Sequence, residues 1–166
     1  AYEDEFPESV ISHDIARAVL VLARAHTKRS AADIRQSIDD LKGTKEDEIA
    51  LAVLAFALAH DGQNAEDIRT IFTALRSALD PRWLISEKAA AILTLATTQL
   101  DFRMNKEQRV AEILKIYRLL GEDSRRAETS RGVLVIAVLR LGPDVAANAQ
   151  TVKNDFRTMK KDLAVD

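Results

Sequence analysis

An all-α fold, built as a right-handed stack of about four helical hairpins, is what the sequence predicts, and three observations predict it. The 166 residues include only five Gly, three Pro and 5% aromatics, in a chain crowded with Ala, Leu, Arg and Glu, a mixture that favours helix over sheet. Small polar residues stand before apolar periodic stretches and glycines behind them, which is the punctuation of eight helical segments. The apolar stripes also recur, since Ile34, Ile68, Val110 and Val152 are separated by 34, 42 and 42 residues. An internal repeat of that length is the signature of two-helix units that bury their apolar faces only by stacking on their neighbours.

The elements follow in order. Ser12 caps a first helix running to about His26, and Ser30 with Asp33 makes a capping-box-like start for a second that Gly43 ends. Thr44 with Asp47 opens the third, which stops near Gly62, and Asn64 with Asp67 opens the fourth. Asp80-Pro81 breaks the chain before Ser86 starts the fifth. Asn105 with Gln108 starts the sixth, and Gly121 is its expected left-handed stop. The seventh runs from about Ser124 or Arg126 to Leu141, and Gly142-Pro143 turns the chain into an eighth from about Asp144. Residues 1–11 read as an acidic, loosely held lead-in, and 12–166 as a single repeat domain.

The helices alternate in character. The odd ones are apolar on nearly every side, as in Val19 to Ala23, Leu51 to Ala59, Ala89 to Leu93 and Val133 to Leu139, which marks buried helices. The even ones carry one stripe with charges elsewhere: Ile34/Ile38/Leu41, Ile68/Phe72/Leu75, Val110/Leu114/Tyr117 and Val152/Phe156/Met159. They belong on the outside, stripe inward. The first two units match most closely, with Ala-Arg-Ala-His26 against Ala-Leu-Ala-His60 and Asp33-Ile-Arg35 against Asp67-Ile-Arg69.

In period and pattern, residues 12 to 162 resemble the tetratricopeptide or HEAT class of helical repeats, with Pro81 similar to the closing proline of a tetratricopeptide unit. The Trp, Leu-Gly and Tyr usual in the first helix of such units are missing from all four. The resemblance implies a scaffold for binding other proteins.

Composition narrows the functions. With no cysteine, disulfides, thiolate catalysis and Cys-ligated zinc are excluded. A net charge of −2 gives no global field for gathering nucleic acid or anionic membrane. The apolar runs fall far short of the roughly 20 residues of a membrane span. The chain begins at Ala1 without Met, which reads as a processed product or a fragment, and a cytoplasmic location is the expectation.

Candidate chemistry is sparse. His26 and His60 take equivalent helix-end positions, where imidazole meets the negative end of the macrodipole. Stacked repeats would hold them about 10 Å apart, the distance between packed helices. Asp39-Asp40 and Glu46-Asp47-Glu48 read as solvated helix ends. The junction from His60 to Asp67, with Asp61-Gly62 followed by Glu66 and Asp67, is similar to the helix junction of tellurite-resistance-type acidic helical domains, which implies divalent-cation binding there. No Walker loop, EF-hand spacing, His-Glu-x-x-His or Gly-x-Ser-x-Gly occurs, so no catalytic apparatus, metal ligand set or cofactor site is expected. Lys153, Arg157, Lys160 and Lys161 share one face of the last helix and form a positive stripe suited to an acidic partner. Arg82 and Trp83 stand in the inter-helix link at the centre of the chain, and Trp and Arg are the residues enriched at interface hot spots. The expectation is a non-catalytic protein-interaction module, and the alternative is a cation- or small-ligand-binding domain centred on Asp61, Glu66 and Asp67.

Overall fold

The computed structural model describes residues 14–41, 47–61, 64–77, 86–101, 103–121 and 128–162, the side chains of residues 61 and 160–162 excepted. Eight helices and no strand occur among the described residues. They are α1 (Asp14–Thr27), α2 (Ala31–Leu41), α3 (Glu48–Asp61), α4 (Ala65–Ser77), α5 (Glu87–Thr97), α6 (Lys106–Leu120), α7 (Glu128–Arg140) and α8 (Val145–Asp162). The lead-in 1–11, the cap Ser12, the stop Gly43, Thr44, Gly62 and the Asp80-Pro81 break lie outside the described residues.

Most helix starts follow from local capping. Ser30 Oγ accepts the Asp33 amide at 3.1 Å, Asn64 Oδ1 the Asp67 amide at 2.9 Å, and Ser86 Oγ the Ala89 amide at 3.2 Å. Asn105 and Gln108 close a reciprocal capping box at 2.8 and 2.9 Å. Each bond satisfies an amide that the first helical turn leaves without an intrahelical partner. Asp47, expected inside the first turn of α3, is instead its cap and accepts the Ala50 amide at 3.0 Å. Gly121 is not left-handed, since its φ of 161° is extended backbone. Among the described residues a positive φ occurs instead at Gly142, just past α7, with φ 123°, and at Lys28, with φ 62°, whose amide returns to the Arg24 carbonyl at the end of α1. A side chain there is strained, so Lys28→Gly is expected to raise the unfolding free energy by about 1 kcal/mol in urea titration.

The odd helices form the inner layer, α1 on α3, α3 on α5 and α5 on α7, and these are the most extensive contacts of the fold. Alanine explains the closeness: Ala50, Ala52, Ala55 and Ala57 of α3 and Ala89, Ala90, Ala91 and Ala96 of α5 are fully buried, and their small side chains let backbones approach. Thr94 and Thr97 are as buried, and their hydroxyls donate to the carbonyls of Ala90 and Thr94, which removes the cost of an unpaired polar group. The even helices cover this layer, with Ile34, Ile38, Leu41, Ile68, Phe72, Leu75, Leu114 and Tyr117 inward as their stripes predict.

Two features depart from the sequence reading. Each outer helix of the stack packs on both neighbouring inner helices, but more on the one that follows it than on its own hairpin partner, α2 on α3, α4 on α5 and α6 on α7. The Val152/Phe156/Met159 stripe is buried only at Val152, while Phe156 and Met159 are 43% and 61% exposed. The same lean is the reason, because α8 has no following inner helix to rest on among the described residues and packs chiefly on α7 and α6.

An ion pair and a hydrogen bond stitch the N-terminal ends of the inner layer. Lys88 Nζ of α5 donates to Asp47 at the head of α3 at 2.7 Å, and the Ser86 amide donates to the Glu128 carboxylate of α7 at 2.9 Å. Partial burial works to raise the Asp47 carboxyl, but the Lys88 ammonium and the Ala50 amide outweigh it and hold the group below its ordinary value. Arg103 makes a fork onto exposed Asp101, with Nη2 at 2.8 Å, and lowers that carboxyl to about 2. Both folded-state values are depressed, so their stabilisation is present above the ordinary carboxylate range and is lost as pH falls through the folded value. Asp101 should therefore show its carboxyl carbon-13 titration near pH 2, and an ordinary titration midpoint would rule out the fork.

Candidate functional site

All four inner helices contribute to one groove of about 230 Å³, lined by His26, Phe56, His60, Leu95, Gln99, Ile136 and Arg140. His26 is in the last turn of α1, His60 in that of α3, Gln99 just past α5, and Arg140 ends α7. Four helices that run in the same direction through a stack bring their C-terminal ends to one edge, and that edge is this groove. Its floor is apolar, from Phe56, Leu95 and Ile136. Its rim is polar and cationic.

The histidines are far closer than the repeat spacing suggests. Their rings stack with centroids 5.0 Å apart and planes 26° from parallel, not about 10 Å apart, because the side chains lean together across the gap between helix axes. Phe56 meets both edge-on, at 5.6 Å from His26 and 6.3 Å from His60. Edge-to-face packing of this kind adds about 0.5–1.5 kcal/mol per pair beyond the area buried, which fixes the cluster as one aromatic wall. Stacked imidazoles do not aim their nitrogens at a common point, and no group of three or more His, Asp or Glu suited to hold a metal ion occurs among the described residues.

Arg140 is exposed at the other end of the groove and makes no ion pair with the described residues. Each of the four convergent helix ends carries partial negative charge and opposes an anion by about 0.3–1 kcal/mol, so that together they weigh about as much as the roughly 1.5–3 kcal/mol of a charge-assisted bond from a guanidinium. Arg140 is the arginine of the lining, and its fork has the geometry that holds a carboxylate.

The other sequence candidates are scattered. Arg82 and Trp83 lie outside the described residues. Lys153 is half-buried and Arg157 exposed on α8, and neither lines the groove; Lys160 and Lys161 continue that helix. Of the proposed cation cluster, Asp67 accepts from Lys106 Nζ at 3.0 Å, an ion pair that joins α4 to α6, and Glu66 lies 3.7 Å from Arg69. Two further cavities have structural occupants or walls. A polar one of about 330 Å³ between α2, α3 and α4 is crossed by Arg29, whose Nε donates to the Ala59 carbonyl at 2.8 Å, and an apolar furrow of about 320 Å³ lies between α4 and α6 along Ile71, Ala74, Val110 and Leu114.

Sequence reasoning singled out the two histidines and missed Phe56, Leu95, Gln99, Ile136 and Arg140. The signal was present, since all are in or next to the last two turns of the inner helices. No helix of the described residues is long and apolar enough to cross a membrane. Comparison with family models, with characterised proteins and with solved structures yields no match.

Proposed function

We propose that the chain is a non-catalytic protein-interaction module, an α-hairpin repeat of tetratricopeptide-like or HEAT-like kind, whose groove at the C-terminal edge of the inner layer receives a peptide segment of another protein. One observation carries the reading: side chains from all four inner helices converge on a single groove with an apolar floor, an aromatic wall and an unpaired guanidinium on its rim. An aliphatic or aromatic side chain fits the floor between Phe56, Leu95 and Ile136, and an acidic residue one or two positions away reaches Arg140. The Gln99 amide and the imidazoles supply hydrogen bonds to the peptide backbone.

Selection from a displayed peptide library on the intact chain tests this. Enriched sequences are expected to pair an apolar residue with Asp or Glu, and Arg140→Glu is expected to weaken them at least about tenfold, the loss of one charge-assisted pair. His26→Ala should weaken them without changing the acidic preference. Peptides that bind Arg140→Glu as tightly as the parent, and lose affinity instead on charge reversal of Lys153 and Arg157, would move the site to α8.

A further inference from the structure

Large apolar side chains exposed among the described residues collect at the two ends of the stack. Ile15, Val21 and Leu22 are 56%, 40% and 58% exposed on α1, and Val133, Leu141, Phe156 and Met159 are 43–61% exposed at the α7–α8 end, with Leu119 of α6 the exception. A helix of a repeat stack that faces solvent ordinarily carries a polar outer face. Here α1 does not.

The open face of α1 is a copy of an interface already present in the fold. Ile15, Ala18, Leu22 and Ala25 lie along one side of α1, opposite its buried residues Ala16, Leu20 and Ala23. Thirty-four residues on, the same positions of α3 are Ile49, Ala52, Phe56 and Ala59. In α3, sandwiched between α1 and α5, the last three are at most 9% exposed. So α1 presents to solvent the surface with which α3 meets a preceding inner helix.

At the other end the matching half is open. On α7 Gly132 faces Ala89 and Ile92 of α5, while Leu134 and Ala137, only partly buried, lie on the opposite side, where a further inner helix would stack, and Val133, 52% exposed, flanks them. Beside it, Phe156 and Met159 of α8 are exposed where, among the described residues, no following inner helix lies of the kind on which α2, α4 and α6 each lean. We propose that a second copy of this chain stacks end to end with the first, its α1 seated against α7 and under α8 as the next inner helix. The contact repeats the α5–α7 and α6–α7 packing between molecules. It covers both open ends at once.

One helix of 14 residues spans about 21 Å, and its face against two helices buries on the order of 1,000 Å² in total, the weak end of specific interfaces. The contact is heterologous, so it does not close at two copies. The test is sedimentation velocity of the intact chain from about 10 µM to 1 mM, a range set by that weak class. The average mass is expected to rise steadily beyond a dimer. Leu22→Glu and Val133→Glu change exposed positions and should each give a monomer of unchanged helicity by circular dichroism, with Ile15→Lys in place of the first if helicity falls. An equimolar mixture of the two variants should form a dimer that grows no further, since each supplies one intact end. A parent chain that stays monomeric throughout overturns the proposal. So does a Val133→Glu chain that still dimerises, which would mean α1 pairing with α1, or a mixture of the variants that stays monomeric.

Discussion

Leu54→Ala is expected to lower the unfolding free energy by about 2–5 kcal/mol, because Leu54 is fully buried at the centre of α3 and its removal leaves a cavity walled by helices on several sides. Leu93→Ala in α5, as fully buried, should cost a similar amount. Arg35→Ala on α2 is the control, with an expected loss under about 0.5 kcal/mol. Arg69→Ala should lie between, since its guanidinium donates to the Asp40 carbonyl and ties α4 to α2. Urea midpoints at constant m decide it. A Leu54→Ala loss no larger than that of Arg35→Ala would remove the distinction between inner and outer layers.

Tyr117→Ala should cost about 3–5 kcal/mol, the range for deleting a large buried aromatic. Tyr117 is 1% exposed on α6, and the Arg131 guanidinium of α7 lies 4.8 Å from its ring centroid, a cation–π contact that adds about 0.5–2 kcal/mol to the lost packing. The ring, rather than the hydroxyl, makes this contribution. Tyr117→Phe is therefore expected within about 1 kcal/mol of the parent, since the buried hydroxyl has no hydrogen bond among the described residues. Burial raises the phenol above its ordinary value, the Arg131 charge working against it, so ultraviolet titration should find a late-ionising tyrosine in the parent that Tyr117→Phe removes. A Phe variant as unstable as the Ala variant would show the hydroxyl to be the anchor.

What was legible in the sequence was what neighbouring residues settle among themselves. Ser30, Asn64, Ser86 and the Asn105–Gln108 pair cap helices through bonds three residues long, and a 3.6-residue period decides which face of α2, α4 and α6 turns inward. Asp47 was misplaced because either it or Thr44 suits a cap, and only the later start at Glu48 decides between them. Phe156 and Met159 carry the right period but face solvent, since periodicity says which face is apolar and nothing about whether a neighbour covers it. The groove was hidden for a related reason. His26, Gln99 and Arg140 are separated by dozens of residues, and only the parallel run of α1, α3, α5 and α7 brings them to one edge.

The forward lean of the outer helices gives the chain a direction in time as well as in space. Extensive contacts join each helix only to those one or two places along, so little loop closure precedes packing and folding belongs to the fast, local class. A ribosome adds about 5–20 residues per second, so α2 emerges with Ile34 and Ile38 bare for a second or more before the helix that receives them is made. Synthesis therefore alternates between covered and uncovered intermediates. Nascent chains that end after α3, α5 or α7 have every stripe seated, whereas those that end after α2, α4 or α6 expose one, and chaperone engagement should rise and fall with that period.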